Sequence, residues 1–424
     1  MSLTTLGSPG GPHLIAIPGA PAPTGWLMLK PMADADITSG PLRGILVADF
    51  SRVLAGPYAT MTLGDLGADV FKVERPGVGD ETRTWAPPVA AGGESTYFLA
   101  VNRNKRSVAL DLSTSDGRDA ARDLALRADV LVENFTAGTM ERFGLGYDDL
   151  ADENPRLVYA SVTGFGRGEG AALPGYDFLI QAVGGLMSVT GDADGEPTKV
   201  GVALVDVLAG QNLVAGVLAA LYERERTGRG QRVEIDLLSS LLSALVNQAS
   251  SYLNAGVVPG RLGNAHPSIA PYQTVHTADR PIAVAVGNDA QFRRLAEILD
   301  ADVEGPAPLA SDGRFTTNSS RVGHAATLAE ALDGRLRYRP AEHWIARFTA
   351  AGVPCGLINN VAEGLALAEL LGLDPVVRLR GEGGVEVASV ASPIRLSRTP
   401  VSYRLPPPPP EAVAARDLGG EVPL

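Results

Sequence analysis

Two carboxylates stand in unusual company. Asp206 lies inside Gly201-Val202-Ala203-Leu204-Val205-Asp206-Val207-Leu208-Ala209-Gly210, alone among small and apolar residues. A helix is expected to open there, and a carboxylate near a helix start gains from free N–H groups and the helix dipole. A poorly hydrated carboxylate beside small residues is also suited to attack an acyl carbon. A structural aspartate at a helix start fits the same pattern, and the pattern alone leaves both readings open. Asp177, in Pro174-Gly175-Tyr176-Asp177, precedes the apolar Phe178-Leu179-Ile180, where an N-cap is the simplest role. Arginines punctuate the ends of several strand candidates: Arg75 after Val73-Glu74, Arg103 and Arg106 around Asn104-Lys105, Arg142 after Asn134-Phe135. Such positions suit phosphates, although solvated surface charge is the commoner use of any one arginine.

Other chemistries find little support. No Walker-type loop or paired-glycine dinucleotide fingerprint follows the first strand candidate, and no Gly-x-Ser-x-Gly elbow occurs. His13, His266, His276, His324 and His343 form no HExxH or close pair, so no metal site is expected. A formal net charge of -12 argues against a nucleic-acid partner. The lone Cys355 excludes an intrachain disulfide and suggests a reducing compartment, with the cytoplasm as the expected location. The chain start lacks a basic n-region, and no segment reads as a membrane span, so no membrane partner is expected.

The elements that must hold these residues are legible as an alternation. Ile45–Asp49 suits a buried strand, Gly56-Pro57 opens a helix running to Leu66, and Asp69–Glu74 suits a second strand. Ser107–Leu112, Asp129–Asn134, Leu157–Val162 and Arg232–Ile235 read as further strands. Ser115–Ala128, Asp206–Glu225 and Leu237–Leu253 read as helices, and Pro281–Val286 as a strand in a later region of different texture. The pattern predicts an α/β fold with an open, mostly parallel sheet and helices on both faces. The chain has 424 residues, 45% of them apolar, enough for two domains. Residues 1–40 are expected to be a disordered extension, and 262–335 a smaller second domain. The five prolines Pro406–Pro410 favour an extended tail along the surface.

Several stretches, in order and with matching spacing, resemble the family III CoA-transferases. They include Asp49-Phe50-Ser51-Arg52-Val53-Leu54-Ala55-Gly56-Pro57, Asn102-Arg103-Asn104-Lys105-Arg106-Ser107 and Ala128-Asp129-Val130-Leu131-Val132-Glu133-Asn134-Phe135. Asn154-Pro155-Arg156, Thr227-Gly228-Arg229-Gly230-Gln231 and Gly352-Val353-Pro354-Cys355-Gly356 continue the series. The resemblance implies a Rossmann-like large domain built from both chain ends (41–235 and 336–424), a helical linker at 236–261 and the inserted small domain. It further implies two interlocked subunits.

By the same resemblance, Asp206 is the nucleophile of a CoA transfer from an acyl-CoA to a small carboxylic acid, through an aspartyl anhydride and thioester. Coenzyme A enters as a thioester substrate, with no permanently bound cofactor. Leu54, Ala55, Arg75, Leu110, Asp111, Leu112, Ser113, Asn134, Phe135 and Arg142 are implied to contact it. Asp177 matches the acidic base of the related racemases, but Leu150-Ala151-Asp152-Glu153 lacks their histidine. A racemase acting at the α-carbon is therefore the alternative, with a non-catalytic acyl-CoA binder a second one. The stretch Arg261–Ser268 lacks a glycine run and is similar to members using succinyl-CoA and dicarboxylic acids; Arg261 or His266 would then meet a distal carboxylate, with a loop hydrogen bond the equal reading for His266.

Overall fold

The computed structural model describes residues 40–410 except 382, 383 and 385. The expected extension over 1–40 falls almost wholly outside the described residues. Contacts divide the chain into two compact units, and the larger contains residues 40–188, 199–259 and 374–410 of the described chain.

In the larger unit, strand and helix alternate: β1 (Leu46–Asp49), α1 (Ala55–Asp65), β2 (Asp69–Glu74), α2 (Thr96–Val101), β3 (Lys105–Ala109), α3 (Ser115–Arg127) and β4 (Val130–Glu133). The short α4 (Thr139–Arg142) and α5 (Tyr147–Leu150) lead to β5 (Val158–Thr163), α6 (Asp177–Val183), α7 (Leu204–Thr227), β6 (Arg232–Asp236), α8 (Leu237–Ala244) and α9 (Val246–Ala255). The six strands form one sheet in the order β3-β2-β1-β4-β5-β6, and every pairing is parallel. The direction of winding reverses between β1 and β4, the switch point beyond which open α/β sheets bind ligands.

Successive side chains of each strand go to opposite faces. Val47, Val70, Val130 and Val158 join a core with Leu63 of α1 and Leu213 of α7. Their neighbours Ala48, Phe71, Leu131 and Tyr159 join a second core with Leu124 of α3. Both faces are covered, which is why β1, β4 and β5 read as apolar runs.

Three expectations need correction. β3 begins at Lys105 rather than Ser107, because Val70 pairs with Lys105 and Phe71 with Arg106. The helix expected over Leu237–Leu253 is two helices, broken where Val246 takes a φ of 36°. Contrary to the reading that no segment resembles a membrane span, α7 has the length and mean hydropathy (1.8) of one. Its residues Val205, Ala209, Leu213, Val217 and Leu221, spaced four apart, form a buried stripe.

The smaller unit comprises 189–198 and 260–373. It holds β7 (Tyr272–His276), β8 (Pro281–Ala285), α10 (Asp289–Asp302), α11 (Asn318–Gly323), α12 (Ala325–Leu336), α13 (Ala341–Ala350), β9 (Cys355–Leu357) and α14 (Val361–Leu370). β8 is central in an antiparallel sheet between β7 and β9. This unit runs well past residue 335, because Trp344 and Phe348 of α13 share a core with Leu295 and Leu332, and β9 pairs with β8.

The chain re-enters the larger unit with the hairpin β10 (Val376–Arg380) and β11 (Glu386–Val390). Beyond it, Ser402–Leu405 is held by buried side chains. Asn104 Oδ1 accepts from Arg404 N and Leu405 N at 2.7 and 3.1 Å, and its Nδ2 donates to Ser402 O at 2.8 Å. Of the five prolines, Pro407 and Pro408 are buried rather than lying along the surface.

Candidate active site

Two neighbouring cavities open at the switch point. The first, about 190 Å³, is lined by residues just past β1 (Arg52–Ala55), β4 (Asn134–Ala137) and β5 (Gly164–Gly166), together with Tyr176 and Asp206. The second, about 300 Å³, is lined past β2 and β3 by Arg75, Gly79, Glu81 and Leu110–Ser113, with Phe143. Arg52, Glu81 and Phe135 belong to both linings. Gly164 and Gly175 cross in the wall of the first cavity so closely that a Cβ on either would fall 2.3–2.4 Å from the other's Cα.

The loop after β1 is fixed from below. Lys72 donates to Ser51 O at 2.9 Å and pairs with Asp80 at 2.9 Å, both side chains wholly buried. Burial pulls the Lys72 ammonium down, but Asp80 and Asp49 outweigh it and hold it above the ordinary lysine range. Asp80 also accepts from Val53 N at 3.3 Å. Val53 has a φ of 68°, unfavourable for a β-branched residue, so the surrounding contacts must hold it there. From above, Asn134 accepts from Arg52 N at 2.8 Å and donates to Arg52 O at 2.7 Å. Beside this, Lys105 pairs with the buried Asp49 at 3.1 Å. Burial brings the Lys105 ammonium down to about 8, against the pull of Asp49.

Asp206 sits in the first turn of α7, partly buried. The expectation that free N–H groups stabilise its anion is overturned. Those groups belong to Asp177, whose Oδ1 accepts from Val205 N at 2.8 Å and Asp206 N at 3.4 Å. Asp177 therefore serves the start of α7, not α6, whose N-cap is Tyr176. Its Oδ2 accepts from the buried Gln181 at 2.7 Å, and Gln181 Oε1 accepts from Val200 N at 2.9 Å. Among the described residues no hydrogen bond or ion pair reaches the Asp206 carboxyl. Burial, and then the charge of Asp177, push it up to about 7.

The structure brings Asp206, Leu54, Ala55, Asn134 and Phe135 around the first cavity, and Arg75 with Leu110, Asp111, Leu112 and Ser113 around the second. Arg142 lines neither; it donates to Thr139 at 2.9 Å. Arg103 is not available to phosphates, because it is buried and forms two hydrogen bonds to Asp65, at 2.9 and 2.6 Å. In the smaller unit, Arg261 donates to the carbonyls of Asp192 and Gly195, and His266 Nδ1 accepts from Ser268 N at 3.0 Å. Among the described residues no group of three or more His, Cys, Asp or Glu is arranged to hold a metal.

Sequence reasoning missed Arg52 and Glu81, which line both cavities; Tyr97 lines a separate cavity with Trp85 and Thr96. Burial, then Asp206, Asp177 and Asp80, push the Tyr97 phenol up to about 12, so it stays protonated near the two carboxylates. Nothing in Ser95-Thr96-Tyr97 announces this, because the charges that act on Tyr97 lie far from it in sequence.

The profile of CoA-transferase family III matches residues 42–412. The chain belongs to that family. A succinate–glutarate CoA-transferase of Agrobacterium fabrum is 42% identical over 384 residues, covering 89% of this chain and 94% of the relative. A human succinyl-CoA:glutarate CoA-transferase is 39% identical over 369 residues, covering 87% and 83%. The crystal structure of a CAIB/BAIF family protein from Brucella suis is 41% identical, covers 88% of this chain and 97% of its own, and superposes with a TM-score of 0.79. As a family III member the chain is an acyl-CoA:carboxylate CoA-transferase with a CoA thioester as substrate, as its motifs implied.

Proposed function

We propose that this enzyme transfers coenzyme A from succinyl-CoA to a dicarboxylic acid, with Asp206 as the nucleophile. The observation that carries the reading is a carboxylate in a cavity wall with, among the described residues, no hydrogen-bond donor or cation to satisfy it. Such an anion is reactive once formed. Its oxygen attacks the thioester carbonyl, the C–S bond breaks, and CoA thiolate leaves behind a mixed anhydride. The thiolate then attacks the aspartyl carbonyl, releasing the donor acid as its carboxylate and leaving an enzyme thioester. The acceptor carboxylate attacks that thioester, thiolate departs again, and its attack on the new acyl carbonyl restores the Asp206 carboxylate. No proton or electron is gained or lost overall. The names of the relatives make succinate and glutarate the first acids to try.

On this reading the second cavity takes the adenosine end of CoA, with Arg75 near it. The enzyme works as two interlocked copies. Support comes from α9, which buries none of its residues and leaves Val246 70% and Leu253 76% exposed. The lone Cys355 supports a reducing compartment, the cytoplasm.

Whole-protein mass spectrometry after mixing with succinyl-CoA, glutaryl-CoA and other acyl-CoAs tests the chemistry. A CoA-sized adduct on the Asp206 peptide, missing in Asp206→Ala, is the expected result. No adduct with any donor, together with solvent exchange at the substrate α-carbon, would sink it.

A further inference from the structure

The cations near the two cavities are not equally free. Lys72 is committed to Asp80, and Arg83 to Glu74 at 2.6 Å. Arg75 has no ion pair among the described residues. Arg52 differs from all three. Its backbone is pinned by Asn134, its guanidinium lies 4.9 Å from the Phe135 ring centre, and its Nη1 lies 3.4 Å from Glu81 Oε1. Both side chains of this pair are nearly half exposed, 47% and 45%. Among the described residues Arg52 is the one partner of the Glu81 carboxylate. Glu81 is itself exposed, so its carboxylate can turn to solvent when Arg52 leaves it.

Arg52 and Glu81 stand at the junction, in the linings of both cavities. A CoA thioester reaching Asp206 in one cavity with its adenosine in the other must lay its diphosphate across that junction. The diphosphate lies between adenosine and the pantetheine arm that ends in the thioester. A guanidinium binds phosphate oxygens in a planar fork, whereas an exposed carboxylate–arginine pair is weak.

We propose that Glu81 is a displaceable internal counter-ion: it holds Arg52 in the unliganded protein, and the CoA diphosphate takes Arg52 from it. Glu81 thereby weakens the grip on every CoA species, which favours release of the acyl-CoA product. The inference rests on the functional reading above.

Calorimetric titration of CoA and dephospho-CoA into wild type, Glu81→Gln, Arg52→Gln and the double variant tests it. Glu81→Ala serves as a second removal of the same charge. Glu81→Gln is expected to bind both ligands about fivefold more tightly, the upper range for an exposed pair. That gain should vanish in the Arg52→Gln background. Unchanged or weaker binding by Glu81→Gln overturns the proposal. So does a gain that survives without Arg52, which would make Glu81 a through-space repeller. A gain seen with CoA but not dephospho-CoA overturns it too, since the 3′-phosphate would then be the displacing group. Failure of the wild type to bind CoA at all would instead count against the functional reading.

Discussion

Asp206 is ionised only as the pH rises through about 7, because burial and the neighbouring Asp177 disfavour its charge. The rate of adduct formation should therefore rise across that pH range. The folded state holds this acid above its ordinary value, so its stabilising contribution is complete at low pH. That contribution is lost as pH rises through about 7. Asp177→Asn removes the charge but keeps an oxygen for Val205 N–H, so the acid limb of the pH–rate profile should move to lower pH. Asp177→Ala loses the acceptor as well and should cost about 1 kcal/mol in denaturant unfolding. An unmoved limb in Asp177→Asn would mean that burial alone sets the Asp206 threshold. The apolar company of Asp206 made it visible in the sequence. The theft of its N–H groups by Asp177 was invisible, because the two residues are 29 positions apart and only the fold brings them together.

At the scale of elements, the loop between β1 and α1 depends on a buried charge pair rather than on its own propensity. Removing one partner leaves the other buried and unpaired, which typically costs about 3–5 kcal/mol. Lys72→Met is accordingly expected to lower unfolding free energy by about that amount, measured in urea, and to weaken CoA binding by releasing Val53. Lys72→Met with Asp80→Asn should recover part of the stability. Near-full stability of Lys72→Met alone would show that water or a rearranged loop satisfies Asp80. Strands β1, β4 and β5 were readable because each is a short apolar run. The break between α8 and α9 was not, since Ala244-Leu245-Val246-Asn247 contains no proline or glycine and the helical pattern runs through it. Arg103 was misread for a related reason: an arginine beside a strand candidate looks the same whether it meets phosphate or a buried Asp65.

For the whole molecule, an interlocked pair of chains makes a definite claim about mass. Sedimentation at decreasing concentration should give two chains at every dilution short of unfolding, because linked subunits cannot separate by simple dissociation. A concentration-dependent monomer would remove the interlock and leave the exposed face of α9 for another partner. A parallel sheet was implied by the alternation of elements, whereas the order of its strands was not. The extent of the smaller unit was not, because Trp344 and Phe348 sit on a helix that resembles any other amphipathic helix until its core is known.

The clasp of Asn104 on Arg404 spans 300 residues of chain. On a ribosome adding roughly 5–20 residues per second, that separation lasts roughly 15–60 s. During this interval β3 and α1 exist without the segment that satisfies Asn104 and the backbone carbonyl of Asp65. The first part of the enzyme thus waits, with polar groups meant for burial, for a segment made 300 residues later. A chain cut before Ser402 would therefore carry an unfinished sheet edge rather than be a merely shorter enzyme.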